Sequence, residues 1–226
     1  MSSIEVIEWA PALPDEPAVV GSLHEPVGET LGAIVLTHGA GGDRSSALLV
    51  SLCDAFARLG WAALRCDLPY RQKRPSGPPS PSGAKRDQEG LARALDSLRE
   101  KSERVFLGGS SYGGRQASML LAERPELAHG LLLLSYPLHP PGKPEQLRTA
   151  HFPSLQTPTL FAHGSKDVFG EVSEMREAQR LIPAPVDLLV FEGASHGLIQ
   201  KRDGAAKARR MATQIAEEFQ RFVAER

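Results

Sequence analysis

Residues 105–125 read Val105-Phe106-Leu107-Gly108-Gly109-Ser110-Ser111-Tyr112-Gly113-Gly114-Arg115-Gln116-Ala117-Ser118-Met119-Leu120-Leu121-Ala122-Glu123-Arg124-Pro125. A short apolar run enters a turn of glycine and serine, and the turn opens a helical segment, residues 113–123, that Pro125 halts. The turn holds Gly109-Ser110-Ser111-Tyr112-Gly113, a G-x-S-x-G pattern. A serine at its centre is carried on a tight strand-to-helix bend with its hydroxyl projecting from the sheet. The glycines are needed because side chains there would collide with the neighbouring strand or helix. Ser111 is therefore the candidate nucleophile. Ser110 sits one place before the apex, and the bland alternative is a Gly/Ser turn without chemistry.

Outward from this turn, strand-like and helix-like runs alternate. Ala33 to Thr37 is an apolar run ending at His38-Gly39. Residues 46–59 place Leu48, Leu49, Leu52, Ala55, Phe56 and Leu59 on one helical stripe, and Gly60 stops it. Further strands are expected at 61–66, 131–135, 159–162 and 186–191, and helices at 85–100, 171–182 and 204–225. Continuous apolar strands alternating with helices imply a mostly parallel sheet covered on both faces, an α/β fold in one domain over residues 1–226. Ile4 to Glu8 and Ala18 to Leu23 have no helix between them and are expected as an antiparallel ribbon on the sheet edge. Two stretches, residues 75–83 and 137–158, are irregular and follow strands. Loops at the carboxyl ends of strands build the site in such a sheet.

A serine hydroxyl needs a base, and the base needs an orienting carboxylate. His196 follows the last apolar strand in Glu192-Gly193-Ala194-Ser195-His196-Gly197, and Asp167 follows the 159–162 strand in His163-Gly164-Ser165-Lys166-Asp167. The order Ser111, Asp167, His196 is the one that accompanies a G-x-S-x-G bend of this kind. Plainer readings are a helix-capping Asp167 and a surface His196. Glu192 is the rival acid, but it lies beside the histidine on one strand end. The oxyanion of an acyl intermediate needs two backbone donors. The N–H of Tyr112 is one candidate. The N–H of Ala40, in His38-Gly39-Ala40-Gly41-Gly42-Asp43, is the other, with His38 expected to brace that loop. No G-x-G-x-x-G and no Gly-Lys-Ser/Thr is present, which disfavours nucleotide binding.

Composition removes other classes. The 226 residues carry 26 Lys plus Arg against 27 Asp plus Glu, so the basic excess of a nucleic-acid binder is missing. No apolar run approaches ~18 residues, so no membrane span is expected. Met1-Ser2-Ser3-Ile4-Glu5 lacks the basic and apolar regions of a signal peptide. Cys53 and Cys66 form no CxxC, and two buried thiols in a reducing cytoplasm are expected. The histidines show no HxxxH spacing, so neither a metal nor a cofactor is expected.

Taken together, Thr37–Asp43, Gly108–Arg115 and Tyr136-Pro137-Leu138-His139-Pro140-Pro141-Gly142-Lys143-Pro144 resemble the α/β-hydrolase superfamily from about residue 30 onward. More closely they resemble the small dienelactone-hydrolase-like proteins related to testis-expressed protein thirty and to a subunit of the non-specific lethal complex. Members of that group often carry a basic residue at the position of Ser110 and Met at that of Tyr112. The resemblance implies an α/β-hydrolase fold with a minimal cap. It also implies a serine hydrolase that cleaves a carboxylic ester, thioester or related acyl bond through an acyl-enzyme. Because one relative acts within a protein complex, a protein partner, and a non-catalytic interaction module on the same fold, stay open as the alternative.

Only residues 137–157 are available for a cap, which predicts an open, shallow site and a small soluble substrate. Tyr136 and Leu138 are expected as walls beside Tyr112. The stretch from Arg71 to Arg86 holds Arg71, Lys73, Arg74, Lys85 and Arg86. This basic stretch could draw a carboxylate-bearing substrate to the mouth of the site, with Arg71 the nominated contact; the plainer reading is a solvated loop.

Overall fold

The computed structural model describes residues 4–11, 16–199 and 203–225. The stretch Met1–Ser3, read above for a signal peptide, lies outside them. Eight strands form one sheet: β1 Val6–Trp9, β2 Gly21–His24, β3 Gly32–Thr37, β4 Trp61–Cys66, β5 Val105–Ser110, β6 Leu131–Leu134, β7 Thr159–Gly164 and β8 Val186–Phe191. Their order is β1-β2-β4-β3-β5-β6-β7-β8. β1 pairs antiparallel with β2, and β2 with β4, which is the expected edge ribbon. The other neighbours pair in parallel.

Alternation along the strands divides the core in two. Ala33, Val35, Val105 and Leu107 face one layer, with α3 (Ala84–Leu98), α4 (Tyr112–Glu123) and α5 (Val172–Gln179). Ile34, Leu36 and Phe106 face the other, with α1 (Ala47–Arg58) and α6 (Ala205–Ala224). The helical stripe on α1 is realised: Leu48, Leu49, Leu52, Ala55 and Phe56 are buried. Phe56, Trp61, Phe106 and Phe219 meet edge-on or tilted at its centre. At these separations aromatic pairs add about 0.5–1.5 kcal/mol each beyond burial.

From β3 the chain crosses to β4 on one side, then returns to β5 on the other side of β3. The loops after β3 and β5 therefore diverge, and a crevice opens between them at the carboxyl ends of the strands. One element was not anticipated. Pro69–Lys73 forms a short helix, α2, where a basic loop was expected to begin. Pro69 at the first helical position needs no N–H partner and presets the turn.

Candidate active site

Ser111 follows β5 directly, with φ 49° and ψ −113°. That left-handed backbone at a non-glycine residue stores strain, held because the elements on both sides are fixed. Its N–H donates to Leu134 O at 2.9 Å, and its carbonyl accepts from Arg115 N–H at 2.9 Å. The flanking glycines are there for contact. A Cβ on Gly109 would stand 2.6 Å from Gly114 N, and one on Gly113 would stand 2.6 Å from Thr37 Cγ2.

The three sequence-nominated side chains meet. Ser111 Oγ lies 2.8 Å from His196 Nε2. His196 Nδ1 lies 2.8 Å from Asp167 Oδ2 and 3.0 Å from Oδ1. A carboxylate only accepts, so Nδ1 carries the proton and Nε2 is free to accept from the serine, a tautomer assigned from the partners. The Asp167 side chain is fully buried and that of His196 is 23% exposed. Asp167 Oδ1 also accepts from Phe169 N–H at 2.9 Å. The Phe169 ring lies tilted on the imidazole, centroids 4.0 Å apart. The two loops are tied together by Lys166 N–H on Ala194 O and Gly193 N–H on Ser165 Oγ, each 2.9 Å. Glu192, the rival acid, is exposed. His163 contributes shape: buried, it donates through Nε2 to Gly170 O at 2.8 Å, and its Nδ1 stands 3.8 Å from Asp167 Oδ2.

The loop after β3 lies against the serine: a Cβ on Gly39 would be 3.3 Å from Ser111 Cβ. Its carbonyls are gripped from behind. His38 Nδ1 donates to Gly39 O at 2.9 Å, and the Tyr70 hydroxyl reaches Gly39 O at 3.2 Å and Ala40 O at 3.0 Å. His38 Nε2 accepts from Leu68 N–H at 3.2 Å. This histidine is neutral, burial holding its pKa below the usual value. With Gly39 O drawn toward Tyr70, the Ala40 N–H across that trans peptide points the opposite way. Neither the Ala40 nor the Tyr112 N–H finds an acceptor among the described residues.

Arg71 corrects an expectation. It is 7% exposed, and its guanidinium donates to four carbonyls: Gly42 at 2.9 Å, Ala40 at 3.0 Å, and Arg74 and Gly77 at 3.1 Å. Those bonds use its fork inward, so it braces the Gly39–Gly42 loop rather than facing the mouth. Tyr136 and Leu138 also differ from expectation, being 1% and 0% exposed. Tyr136 packs on Phe152 and Phe161 and donates its hydroxyl to Arg148 O at 2.6 Å. They are core beneath the 137–158 segment, because that segment folds back on itself and shuts them in. Tyr112 stays half-buried, its ring edge-on to Tyr70 and its hydroxyl on Asp87 Oδ2 at 2.8 Å. Asp87 is buried, with its pKa raised by desolvation, and its other oxygen accepts Tyr70 N–H at 3.1 Å. Sequence reasoning missed Tyr70, Asp87 and Phe169. Only Pro69, as a helix-start signal just before Tyr70, could have flagged one of them.

A cleft opens instead on the α1/α6 side of Ser110. It holds about 580 Å³ and is lined by His38, Gly39, Ser110, Gly197, Leu48 and Ile199, among others, and most of its lining is apolar. Ser110 thus opens onto the cleft, while Ser111 meets the histidine.

Residues 31–224 match the model of the alpha/beta hydrolase domain family. The chain belongs to that family. Solved structures agree in fold. The dienelactone hydrolase of Anabaena variabilis is 22% identical at a TM-score of 0.70, covering 94% of this chain and 98% of that one. Est1E from Butyrivibrio proteoclasticus is 15% identical at 0.70, covering 99% and 100%. An alpha-beta serine hydrolase homologue from Coxiella burnetii is 16% identical at 0.71, covering 96% of each. At these identities the likeness is one of fold.

Proposed function

We propose that this protein is a serine hydrolase that cleaves a small carboxylic ester or thioester through an acyl-enzyme, as one domain over residues 1–226. The observation that carries the reading is the hydrogen-bonded line from Ser111 Oγ through His196 to the buried Asp167. In the first step His196 Nε2 takes the serine proton as Oγ attacks the carbonyl carbon. The negative charge moves to the carbonyl oxygen, where the Ala40 and Tyr112 N–H groups receive it. The imidazolium, stabilised by Asp167, returns its proton to the leaving alkoxide or thiolate as the acyl–O or acyl–S bond breaks. Water then repeats the sequence on the acyl-serine and releases the acid.

The Tyr136–Pro144 run supports membership of the group that includes testis-expressed protein thirty. The substrate is a small molecule, and the apolar cleft beside Ser110 is suited to hold its uncharged part. The two free buried thiols support a cytoplasmic setting; burial pushes the Cys66 thiol up to about 12.

A fluorophosphonate probe tests the reading. The wild type is expected to be labelled once, at Ser111, and Ser111→Ala to lose both the label and p-nitrophenyl acetate turnover. Labelling and turnover unchanged in Ser111→Ala would overturn it.

A further inference from the structure

One buried carboxylate stands behind both oxyanion donors. Asp87 lies in the first turn of α3 and is 1% exposed. Its Oδ1 accepts the Tyr70 N–H at 3.1 Å, and its Oδ2 accepts the Tyr112 hydroxyl at 2.8 Å. Both bonds leave α3, one for α2 and the other for the first residue of α4. Among the described residues no Lys or Arg forms an ion pair with it, and its neighbour Arg86 pairs with Glu16. A charge taken out of water without a partner is costly. The N-terminal turn of a helix eases that cost, yet a solvent-facing acid in the same turn would gain as much without it. What burial secures here is a pair of contacts, and both fall on residues that frame the oxyanion site.

From Tyr70 the line continues to the loop after β3. The Tyr70 hydroxyl reaches Gly39 O at 3.2 Å and Ala40 O at 3.0 Å, and the hold on Gly39 O turns the Ala40 N–H the opposite way. From Tyr112 the line is shorter, since the donor N–H and the hydroxyl held by Asp87 belong to one residue. The two branches also touch. The Tyr70 and Tyr112 rings meet edge-on with centroids 5.7 Å apart. One turn beyond Asp87, a Cβ on Gly90 would stand 2.6 Å from Pro69 Cγ, so α2 is seated directly on α3.

We infer that Asp87 is a positioning residue that sets the spacing of the two oxyanion donors, the Ala40 and Tyr112 N–H groups, by holding Tyr70 on one carboxylate oxygen and Tyr112 on the other. The assignment rests on the hydrolase reading and adds to it a residue that acts only through others. Donors stabilise an oxyanion when they are aimed at the place it will occupy, so their spacing acts on the transition state and leaves ground-state binding alone.

Asp87→Ala is expected to lower kcat for p-nitrophenyl acetate about 10–100-fold with KM within about twofold, since outright loss of one donor costs about 10²–10³-fold. A trifluoromethyl ketone reads the same donors: Ser111 Oγ adds to its carbonyl carbon, His196 takes the proton, and the oxygen is left anionic. Its inhibition should weaken in step with kcat/KM. Asp87→Asn should recover most of the loss, because the amide oxygen still accepts the Tyr70 N–H and the amide NH2 donates to the Tyr112 hydroxyl oxygen. Tyr112→Phe cuts one branch; it should lower kcat at least about threefold and add nothing when joined to Asp87→Ala. Gln88→Ala breaks a 2.9 Å bond from Gln88 Nε2 to Gln116 Oε1 between the same two helices, and it should lower Tm with kcat unchanged. Wild-type kcat or undiminished ketone inhibition in Asp87→Ala, an Asp87→Asn variant no better than Asp87→Ala, or an equal fall in kcat in Gln88→Ala would overturn the assignment. Should Asp87→Ala fail to fold, Tyr112→Phe decides, and wild-type kcat in that variant overturns it. The fluorophosphonate label at Ser111 of the wild type reports on the hydrolase reading independently, so the two failures are distinguishable.

Discussion

Replacing Arg71 with alanine separates bracing from binding. The side chain holds four carbonyls, two of them, Ala40 and Gly42, in the loop beside Ser111. Hydrogen bonds to a charged group are each worth about 1.5–3 kcal/mol. Water replaces part of that in the truncated protein, and Ala40 O keeps the Tyr70 hydroxyl. A net loss of about 3 kcal/mol is therefore expected, equal to a fall in Tm of ~6–12 °C for a chain of this size. The loop should loosen, and the Ala40 N–H with it. Removing an oxyanion donor outright lowers kcat about 10²–10³-fold, so misplacing one should cost about 10–100-fold. The assay is p-nitrophenyl acetate hydrolysis at a temperature well below the new Tm, alongside thermal unfolding followed by circular dichroism. The loss should fall on kcat and be equal for neutral and carboxylate-bearing esters. A variant with unchanged Tm and kcat, or one defective only toward the carboxylate ester, would refute the bracing argument and restore Arg71 to the mouth of the site.

Asp167→Asn should lower kcat by about 10³–10⁴-fold, by analogy with loss of the imidazole-orienting carboxylate in serine proteases, while Glu192→Gln stays near wild type; the two variants assayed side by side decide which acid serves His196. Ser110→Ala should keep the fluorophosphonate label that Ser111→Ala loses, read by intact-protein mass spectrometry. His24, His38 and His151 all have pKa values lowered by burial, so at these three sites the unfolded chain binds more protons than the folded one below about pH 6.5, opposed in part by His139, whose pKa is raised. Stability should thus be full above that pH and decline as it falls toward 4, and His151→Gln should flatten the decline in a Tm-against-pH series. With neutral p-nitrophenyl esters, kcat/KM should rise over the first few methylenes, each worth ~0.8 kcal/mol when buried, and level off by about C6 to C8 as the cleft fills; a rise continuing through C12 would contradict the dimensions of the cleft.

The candidate constellation was legible because each member sits at a strand end marked by local signals. Gly109 and Gly113 announce the bend at Ser111, and the apolar runs 159–162 and 186–191 announce the loops that carry Asp167 and His196. The strand alternation was equally plain, since a buried parallel sheet demands unbroken apolar runs such as Leu131–Leu134. What surrounds the triad was not legible in the same way. Arg71 reads as one charge in a basic stretch, and only the short α2 turns it inward onto Ala40 and Gly42. Tyr136 and Leu138 follow a strand end, as site residues do, yet the fold-back of residues 137–148 buries them. The cleft beside Ser110 is lined instead by α1 and the Gly197–Ile199 turn, remote from Ser111 in sequence.

Two kinds of information are thus divided between chain and fold. Backbone conformation, period and chain order are local properties, dictated by sterics and hydrophobic spacing within a dozen residues; from them come the α/β architecture, the edge ribbon and the order Ser111, Asp167, His196. The direction of a long polar side chain is not local. Arg71 and Arg115 look alike in sequence, but one finds four carbonyl acceptors while the Nε of the other finds no acceptor among the described residues. That difference depends on which backbone groups the packed elements leave unpaired, and only the tertiary structure settles it.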